Sequence, residues 1–501
     1  MDIIILGVQD AFTLTTILTV AAGVCLGIVV GAIPGLNAPM AIAIAVPLTF
    51  YMSPLAALAF LISVNKGGSF GGSISGILLN TPGSPEAAAT AIDGYPLARK
   101  GRPITAMQMA LGASVCGDLF SDVVLILVAA PLALVALKLG PVEICSVVIF
   151  AFAMISGLMG NSLIKGLIAT ALGIFFATIG TDPTMSMPRL TFENIDLVSG
   201  IPLMAIGIGM LALSEVLIQI EIYLRDSHGR AEEVVVVQSS PDDHLTPRMF
   251  LSVWRTVVRS AVIGTFIGAL PGLGATIAGF LGYGAARRAS KTPENFGKGE
   301  IEGVAAAEAA NSAVVGANLI PLLTLGIPGN VTSALLVGAF IIHGVAPGPW
   351  MFEEHGRLIY GMFAAMIIAN FLNWLIGGVG LKLFAKVLVI PKPVIFPALV
   401  FLCITGSYLN DQSFLAIELT VVFAIFGFLM RKLGYPFVTF IIGFVLTPML
   451  ELSLSQAYIL TEGNIAALID YPIALALIVM TIAVIGRAIL RWRGSPDMVG
   501  P

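Results

Sequence analysis

Long apolar runs recur from one end of the chain to the other, separated by short polar stretches. A helix that crosses a bilayer needs roughly 20 mainly apolar residues. In the first half the runs cover 11–33, 37–50, 54–80, 104–137, 141–158, 163–180 and 199–222. In the second half they cover 257–270, 275–286, 303–346, 356–386, 393–409, 413–430 and 434–450. One more run, 470–490, has no counterpart in the first half. Each predicts a helix, and the ten-residue alternation of a membrane β-barrel is missing. The runs 54–80, 104–137, 303–346 and 356–386 exceed a simple crossing and are expected to be broken helices or re-entrant hairpins. The longest hydrophilic stretch, 223–255, holds Arg225, Asp226, Arg230, Glu232, Glu233, Asp242, Asp243, Arg248 and Arg255. The expected organisation is a transmembrane repeat over 1–222, a cytoplasmic linker over 223–255, a second repeat over 256–450, and 451–501 as an extra helix with a basic cytoplasmic tail.

Composition strengthens that picture. Of 501 residues, 57% are hydrophobic and 11% charged, against roughly 25% charged in a soluble domain, and mean hydropathy is +0.99. The fold class is an all-α polytopic membrane protein. The net charge of −4 names no partner, and there is no basic domain or aromatic platform for nucleic acid. Cys25, Cys116, Cys145 and Cys403 stand singly in apolar runs, as small core residues do. The first residues, Met1-Asp2-Ile3-Ile4-Ile5, lack the positive start of a cleaved signal, so the first run is expected to persist as a helix.

The halves read as repeats. Gly31-Ala32-Ile33-Pro34-Gly35-Leu36 returns as Gly268-Ala269-Leu270-Pro271-Gly272-Leu273, 237 positions on. Asn65 and Pro82 return as Asn311 and Pro328, 246 positions on. Ser156-Gly157 matches Thr405-Gly406 at 249, and Gly207 and Glu215 match Gly443 and Glu451 at 236. Lys and Arg concentrate in cytoplasmic loops. Here they gather in 99–102, the linker, 287–298, Lys382/Lys386/Lys392, Arg431-Lys432 and the tail, while 1–10, 50–54, 351–355, 410–413 and 451–470 are poor in them. Threading the runs in order puts every basic loop on one side, with the N-terminus outside and the C-terminus inside. Matching loops carry opposite bias: 50–54 is uncharged and its mate 287–298 basic, 99–102 is basic and its mate acidic at Glu353-Glu354. That is the mark of two inverted-topology repeats, each with an odd number of crossings, for which seven fits.

Each half holds two Gly/Pro breakers inside apolar sequence. Backbone that leaves a helix at membrane depth must be buried or line a cavity, and paired breakers in corresponding places point to a transporter's binding site. Freed N–H groups at half-helix N-termini suit carboxylates, and freed carbonyls suit Na⁺. The expected substrate-binding set is Asn65, Gly71, Gly72, Asn80, Thr81, Pro82, Gly83 and Ser84 in the first half, and Asn311, Asn318, Pro328, Gly329 and Asn330 in the second. Lys66 is available to the first breaker. Two readings stand for the glycines, close approach of a ligand and close helix packing, and two for Asn65 and Asn311, ligand contact and interhelical hydrogen bonding. Pro34, Gly35, Pro271 and Gly272 are hairpin bends that are either ligand-facing or plain turns.

Acids at membrane depth are costly and need a reason. Asp118 and Asp122 share one helix face and, with Ser73 and Thr324, form the expected cation-coupling set for Na⁺ or H⁺; the other reading puts the two aspartates at an aqueous helix end. Glu308 shares a face with Asn311, and Glu215 and Glu451 read as interfacial anchors. His228 and His244 lie in the linker, His343 and His355 stand alone, and nothing forms a zinc set. No phosphate-binding loop and no nucleophile–base pair is seen, so neither ATP coupling nor an enzyme is expected.

These motifs carry a resemblance. Gly31–Leu36, Gly71-Gly72 leading into Ile77-Leu78-Leu79-Asn80-Thr81-Pro82-Gly83-Ser84-Pro85, and Ala89-Thr90-Ala91-Ile92-Asp93-Gly94-Tyr95-Pro96 resemble the signature of the TctA family. These are large permease subunits of bacterial tripartite tricarboxylate transporters. The resemblance implies cation-coupled uptake of di- or tricarboxylates such as citrate, with no cofactor beyond the coupling ion, across the bacterial inner membrane. It also implies two partners, a small four-helix TctB-like membrane subunit and a periplasmic TctC-like binding protein. The alternative is a carboxylate transporter or exchanger that acts alone.

Overall fold

The structure, a computed structural model, describes residues 2–158, 162–225, 243–387 and 392–493. Much of the linker, 226–242, and the end of the basic tail, 494–501, lie outside the described residues. The first half contains α1 (Asp2–Ala11), α2 (Leu14–Ala32), α3 (Ala38–Ala45), α4 (Pro54–Leu79), α5 (Ala88–Arg99), α6 (Pro103–Ala136), α7 (Pro141–Leu158), α8 (Leu163–Ala177), α9 (Leu203–Gly207) and α10 (Ser214–Arg225). A π-turn, Ile208–Leu213, joins the last two, and a two-stranded hairpin, β1 (Gly180–Thr181) with β2 (Pro188–Arg189), precedes them. The second half contains α11 (Pro247–Ser252), α12 (Trp254–Gly268), α13 (Gly274–Ala289), α14 (Ile301–Ala317), α15 (Leu319–Leu325), α16 (Val331–Ile342), α17 (Met351–Glu354), α18 (Gly356–Val387), α19 (Lys392–Asp411), α20 (Phe414–Lys432), α21 (Phe437–Leu460) and α22 (Pro472–Arg493). Among the described residues seven helices are long and apolar enough to cross a membrane. The outer faces carry large apolar side chains, with Val379 84% and Leu127 67% exposed, and the polar groups are turned inward. This is an all-α polytopic membrane protein.

Three of the four long runs depart from the expected breaks. The stretch 54–79 is one continuous helix straight through its glycines. The reason is close packing of α4 on α2: a Cβ at Gly67 would lie 2.4 Å from the Val24 carbonyl oxygen, and one at Gly71 would lie 2.6 Å from that of Ile28. Gly27 is pressed in the same way on Val64, and Gly31 on Gly68. Small residues let two backbones meet, and the chain breaks only afterwards, at Asn80–Ser84. The runs 104–137 and 356–386 are the unbroken α6 and α18. At 34 residues α6 is about 51 Å long, so it outreaches a hydrocarbon core of about 30 Å. The run 303–346 does break, at Gly326–Asn330 between α15 and α16. Helix α21 continues to Leu460, where a loop was expected from 451.

The contacts repeat between halves. Helix α2 packs on α4 and α12 on α14; α3 packs on α4 and α13 on α14. Helix α18 lies against α2 as α6 lies against α12, and α8 packs on α21 as α20 packs on the π-turn. Backbone detail repeats as well. Gly35 and Gly272 both have φ +89°. Asn80 closes α4 at φ 57°, ψ 19°, and Gly326 closes α15 at φ 72°, ψ 13°. The repeat mates Glu215 and Glu451 each pair with an arginine of the other half, Arg431 and Arg189. Neither glutamate stands at a helix end as expected: Glu451 is followed by nine more residues of α21, and Glu215 lies inside the helical stretch 203–225.

Candidate functional site

Four helix starts meet around one cavity of about 280 Å³. Asn37 begins α3, its side-chain oxygen accepting from the Met40 N–H at 3.1 Å. Asn330 begins α16 with a capping box, accepting from the Ser333 N–H at 2.9 Å while its own N–H donates to the Ser333 hydroxyl at 2.9 Å. Gly274, at φ +68°, begins α13. Pro85 opens the 3₁₀ turn Pro85–Ala87 that runs into α5. All four starts lie in the wall, with Pro39, Glu86, Ala275, Thr276, Val331 and Thr332 just inside them. Asn65 and Ser69 of α4 line it, as do Asn311, Val314, Val315 and Asn318 from the second half, and Leu211, Phe437 and Val438 close it.

The wall is built from repeat mates. Asn65 and Asn311, Ser69 and Val315, Pro85 and Val331, and Glu86 and Thr332 each stand 246 positions apart; Asn37 and Gly274, and Pro39 and Thr276, stand 237 apart. These are the offsets of the breaker motifs. Each half therefore contributes the same helix starts and the same α4-type face. Each helix start carries roughly half a positive charge, and Glu86 is the charged side chain in the lining.

Of the expected substrate residues, Asn65, Asn311, Asn318 and Asn330 line this cavity. The others lie behind it. Gly83 donates its N–H to the Gly72 carbonyl at 3.2 Å, and a Cβ on it would sit 2.3 Å from the Gly31 oxygen. Asn80, Thr81 and Pro82 lead into that contact, Ser84 is buried beside Gly72, and Gly71 packs on Ile28. In the second half Pro328-Gly329 is also outside the wall, the Gly329 carbonyl accepting from the Gly272 N–H at 2.8 Å. The bends Pro34-Gly35 and Pro271-Gly272 are likewise outside the wall; Gly35 packs on Gln219 and Gly272 on Ile155. Thr324 donates within α15 to the Ile320 carbonyl at 2.7 Å.

The aspartates sit in a second polar layer. Neither lies at an aqueous helix end: Asp118 and Asp122 are fully buried within α6, and Lys66 of α4 lies 3.5 Å from Asp118 and 2.9 Å from Asp122. Asn370 of α18 donates to Asp122 at 2.7 Å. Lys66 is thus held by two carboxylates and does not reach the cavity. Ser73 donates instead to Glu308 of α14 at 2.7 Å, and Thr90 of α5 donates to the same oxygen at 2.7 Å. Among the described residues no group of three or more His, Cys, Asp or Glu is placed to hold a metal ion.

Asn37, Glu86 and Asn370 were not singled out from the sequence. The mate of Asn37 is a glycine, and Asn370 shares its apolar run with Asn373 but belongs to neither breaker motif, so neither Asn37 nor Asn370 was picked out. Asp93, inside the Asp-Gly-Tyr-Pro motif, turns out to be a clamp. One oxygen accepts from the N–H groups of Gly297, Gly299 and Glu300, each at 2.8 Å, and the other accepts from the Tyr283 hydroxyl at 2.9 Å. It ties α5 to the loop that feeds α14.

The model of the Tripartite tricarboxylate transporter TctA family matches residues 17–442. An uncharacterized 52.8 kDa protein of the TAR-I ttuC' 3' region in Agrobacterium vitis is 35% identical over 485 residues, covering 97% of this chain and 95% of its own. An uncharacterized protein of the TAR-II ttuC' 3' region in Agrobacterium vitis is 37% identical over 227 residues, 45% of this chain and 94% of its own. No solved structure matches.

Proposed function

The chain belongs to the Tripartite tricarboxylate transporter TctA family, and we propose that it is the large permease subunit of a secondary, cation-coupled importer of small di- or tricarboxylates. The observation that carries this reading is the cavity at which four helix starts converge with no lysine or arginine among the described residues of its wall. Helix N-termini attract carboxylates through free N–H groups and the dipole. Asn65, Asn311 and Thr332 add neutral hydrogen-bonding groups. Such a site holds an anion without the tight grip of a fixed cation, which suits a carrier that must let go. A volume of about 280 Å³ suits a small organic acid.

Glu86 in the wall supports cation coupling. A carboxylate there opposes an anionic substrate unless a cation is bound nearby, so substrate and Na⁺ or H⁺ favour each other's entry. Alternating access follows from the paired construction: two inverted halves rock about a cavity to which each gives the same parts. In this reading the permease works in the bacterial inner membrane, N-terminus periplasmic and C-terminus cytoplasmic. It works with a small four-helix membrane subunit and a periplasmic binding protein that delivers the substrate.

The test is uptake of labelled citrate and other carboxylates into proteoliposomes under imposed Na⁺ or H⁺ gradients. The permease is used with and without the small subunit and a cognate binding protein. Gradient-driven uptake that needs the binding protein is the expected result. Uptake by this chain alone would overturn the three-part assembly in favour of a carrier that acts by itself.

A further inference from the structure

Glu308 is a fully buried carboxylate in the middle of α14, at the contact between the two halves. One of its oxygens accepts from the hydroxyls of Ser73 on α4 and Thr90 on α5, each at 2.7 Å. Its other oxygen, Oε1, is buried and has no hydrogen-bond partner among the described residues. The Asn311 Oδ1, one turn along the same helix, is buried and unpartnered as well. The buried ammonium of Lys66 is already engaged by Asp118 and Asp122. An ionised carboxylate so placed is costly without a positive partner.

The position relative to the cavity is regular. Glu308 lies three residues from Asn311, Thr90 four from Glu86, and Ser73 four from Ser69. Asn311, Glu86 and Ser69 all line the cavity. Each member of the Glu308 cluster is thus one helical turn, about 5 Å along its axis, from a wall residue. The cluster forms a layer directly beneath the site.

We propose that Glu308, Ser73 and Thr90, with Oε1 of Glu308 as the charged ligand, form a sodium-ion site coupled to the cavity above it. The donors are hard oxygens, a carboxylate and two hydroxyls, of the kind that small alkali and alkaline-earth cations take. A cation there neutralises the carboxylate, and it lowers the negative potential that Glu308 and Glu86 set against an incoming anion. Because the ligands come from both halves, cation binding also fastens α14 to α4 and α5. This placement rests on the transporter reading and assigns its coupling ion to Glu308 rather than to the Lys66 layer.

The experiment needs no transported substrate. Thermal unfolding of the purified chain is followed as NaCl replaces choline chloride at constant ionic strength, with KCl as a control. The wild-type protein is expected to be stabilised by Na⁺ in a saturable way. Glu308→Gln and Thr90→Val should each raise the half-saturating Na⁺ concentration at least about ten-fold, as removal of a ligand from a cation site does. Asp196→Asn, an exposed carboxylate in the turn Ile195–Ser199 and not a member of the cluster, should respond as wild type. Should Glu308→Gln fail to fold, Thr90→Val alone decides the matter. A wild-type protein indifferent to Na⁺, or variants with an unchanged Na⁺ response, would overturn the site. If instead carboxylate uptake fails while the Na⁺ response holds, the transporter reading is at fault and the cation site stands.

Discussion

Lys66 shows how charge is managed at membrane depth. Its ammonium is fully buried, with Asp118 at 3.5 Å and Asp122 at 2.9 Å. Removing one partner from a buried ion pair costs about 3–5 kcal/mol, because the charge left behind has nothing to meet. Lys66→Met should therefore yield little monodisperse protein after detergent extraction, and Lys66→Met with Asp118→Asn and Asp122→Asn should recover it. At the cavity, Asn65 and Asn311 are repeat mates on equivalent faces. Under the proposed function each would give a hydrogen bond to a charged substrate, worth about 1.5–3 kcal/mol. Asn65→Ala and Asn311→Ala should each raise the substrate KM by about ten-fold or more, and an effect confined to one of them would contradict a site shared by both halves. On the surface, the Thr184 hydroxyl and the N–H groups of Met185 and Thr184 hold the Asp182 carboxyl down to about 2. Its folded pKa lies below its unfolded one. The ionised turn is therefore favoured above the unfolded value and lost as pH falls through about 2. Proteolytic nicking of the 180–189 hairpin should stay flat from neutral pH down to about 4, and Asp182→Asn should be nicked faster across that whole range.

The helices explain why the breakers were only partly legible. Glycine within a membrane helix serves either to free the backbone or to admit a neighbour, and one stretch of sequence does not say which. In α4 it is the second: Gly67 and Gly71 meet Val24 and Ile28 on α2. The deciding signal was the glycine spacing on the partner helix, Gly23, Gly27 and Gly31, four residues apart. Pro and Asn marked the true breaks. Asn80 takes the left-handed conformation that ends α4, as Gly326 ends α15. Since a β-branched residue pays about 1–2 kcal/mol there, Asn80→Val should lower thermal stability and uptake together, while Asn80→Gly should keep both. Helix α5 escaped notice because its 12 residues mix Asp93, Tyr95 and Pro96 with apolar ones, leaving no run. Only the fold shows that Asp93 is a clamp, since its partners lie 190 to 207 residues away.

For the molecule as a whole, the repeat offsets 237 and 246 reappear as pairs across the cavity wall. A repeat that merely stabilised the fold would leave its matching residues scattered. Here they face one space, and the reciprocal ion pairs Glu215–Arg431 and Arg189–Glu451 join the halves in matching fashion. The direction of each half relative to the membrane is a separate matter, and loop charge carries it: 287–298 contains Arg287, Arg288, Lys291 and Lys298, while its counterpart 50–54 contains none. If the halves are inverted, α3 and α13 leave the cavity towards opposite faces. A cysteine at Ser290 should then be blocked only by a thiol reagent that reaches the cytoplasm, and one at Met52 by an impermeant reagent added outside. Labelling of both positions from the same face would make the repeats parallel. The two sets of helix starts would then not be exchanged by inversion, and alternating access would have to come from two parallel halves rocking against each other.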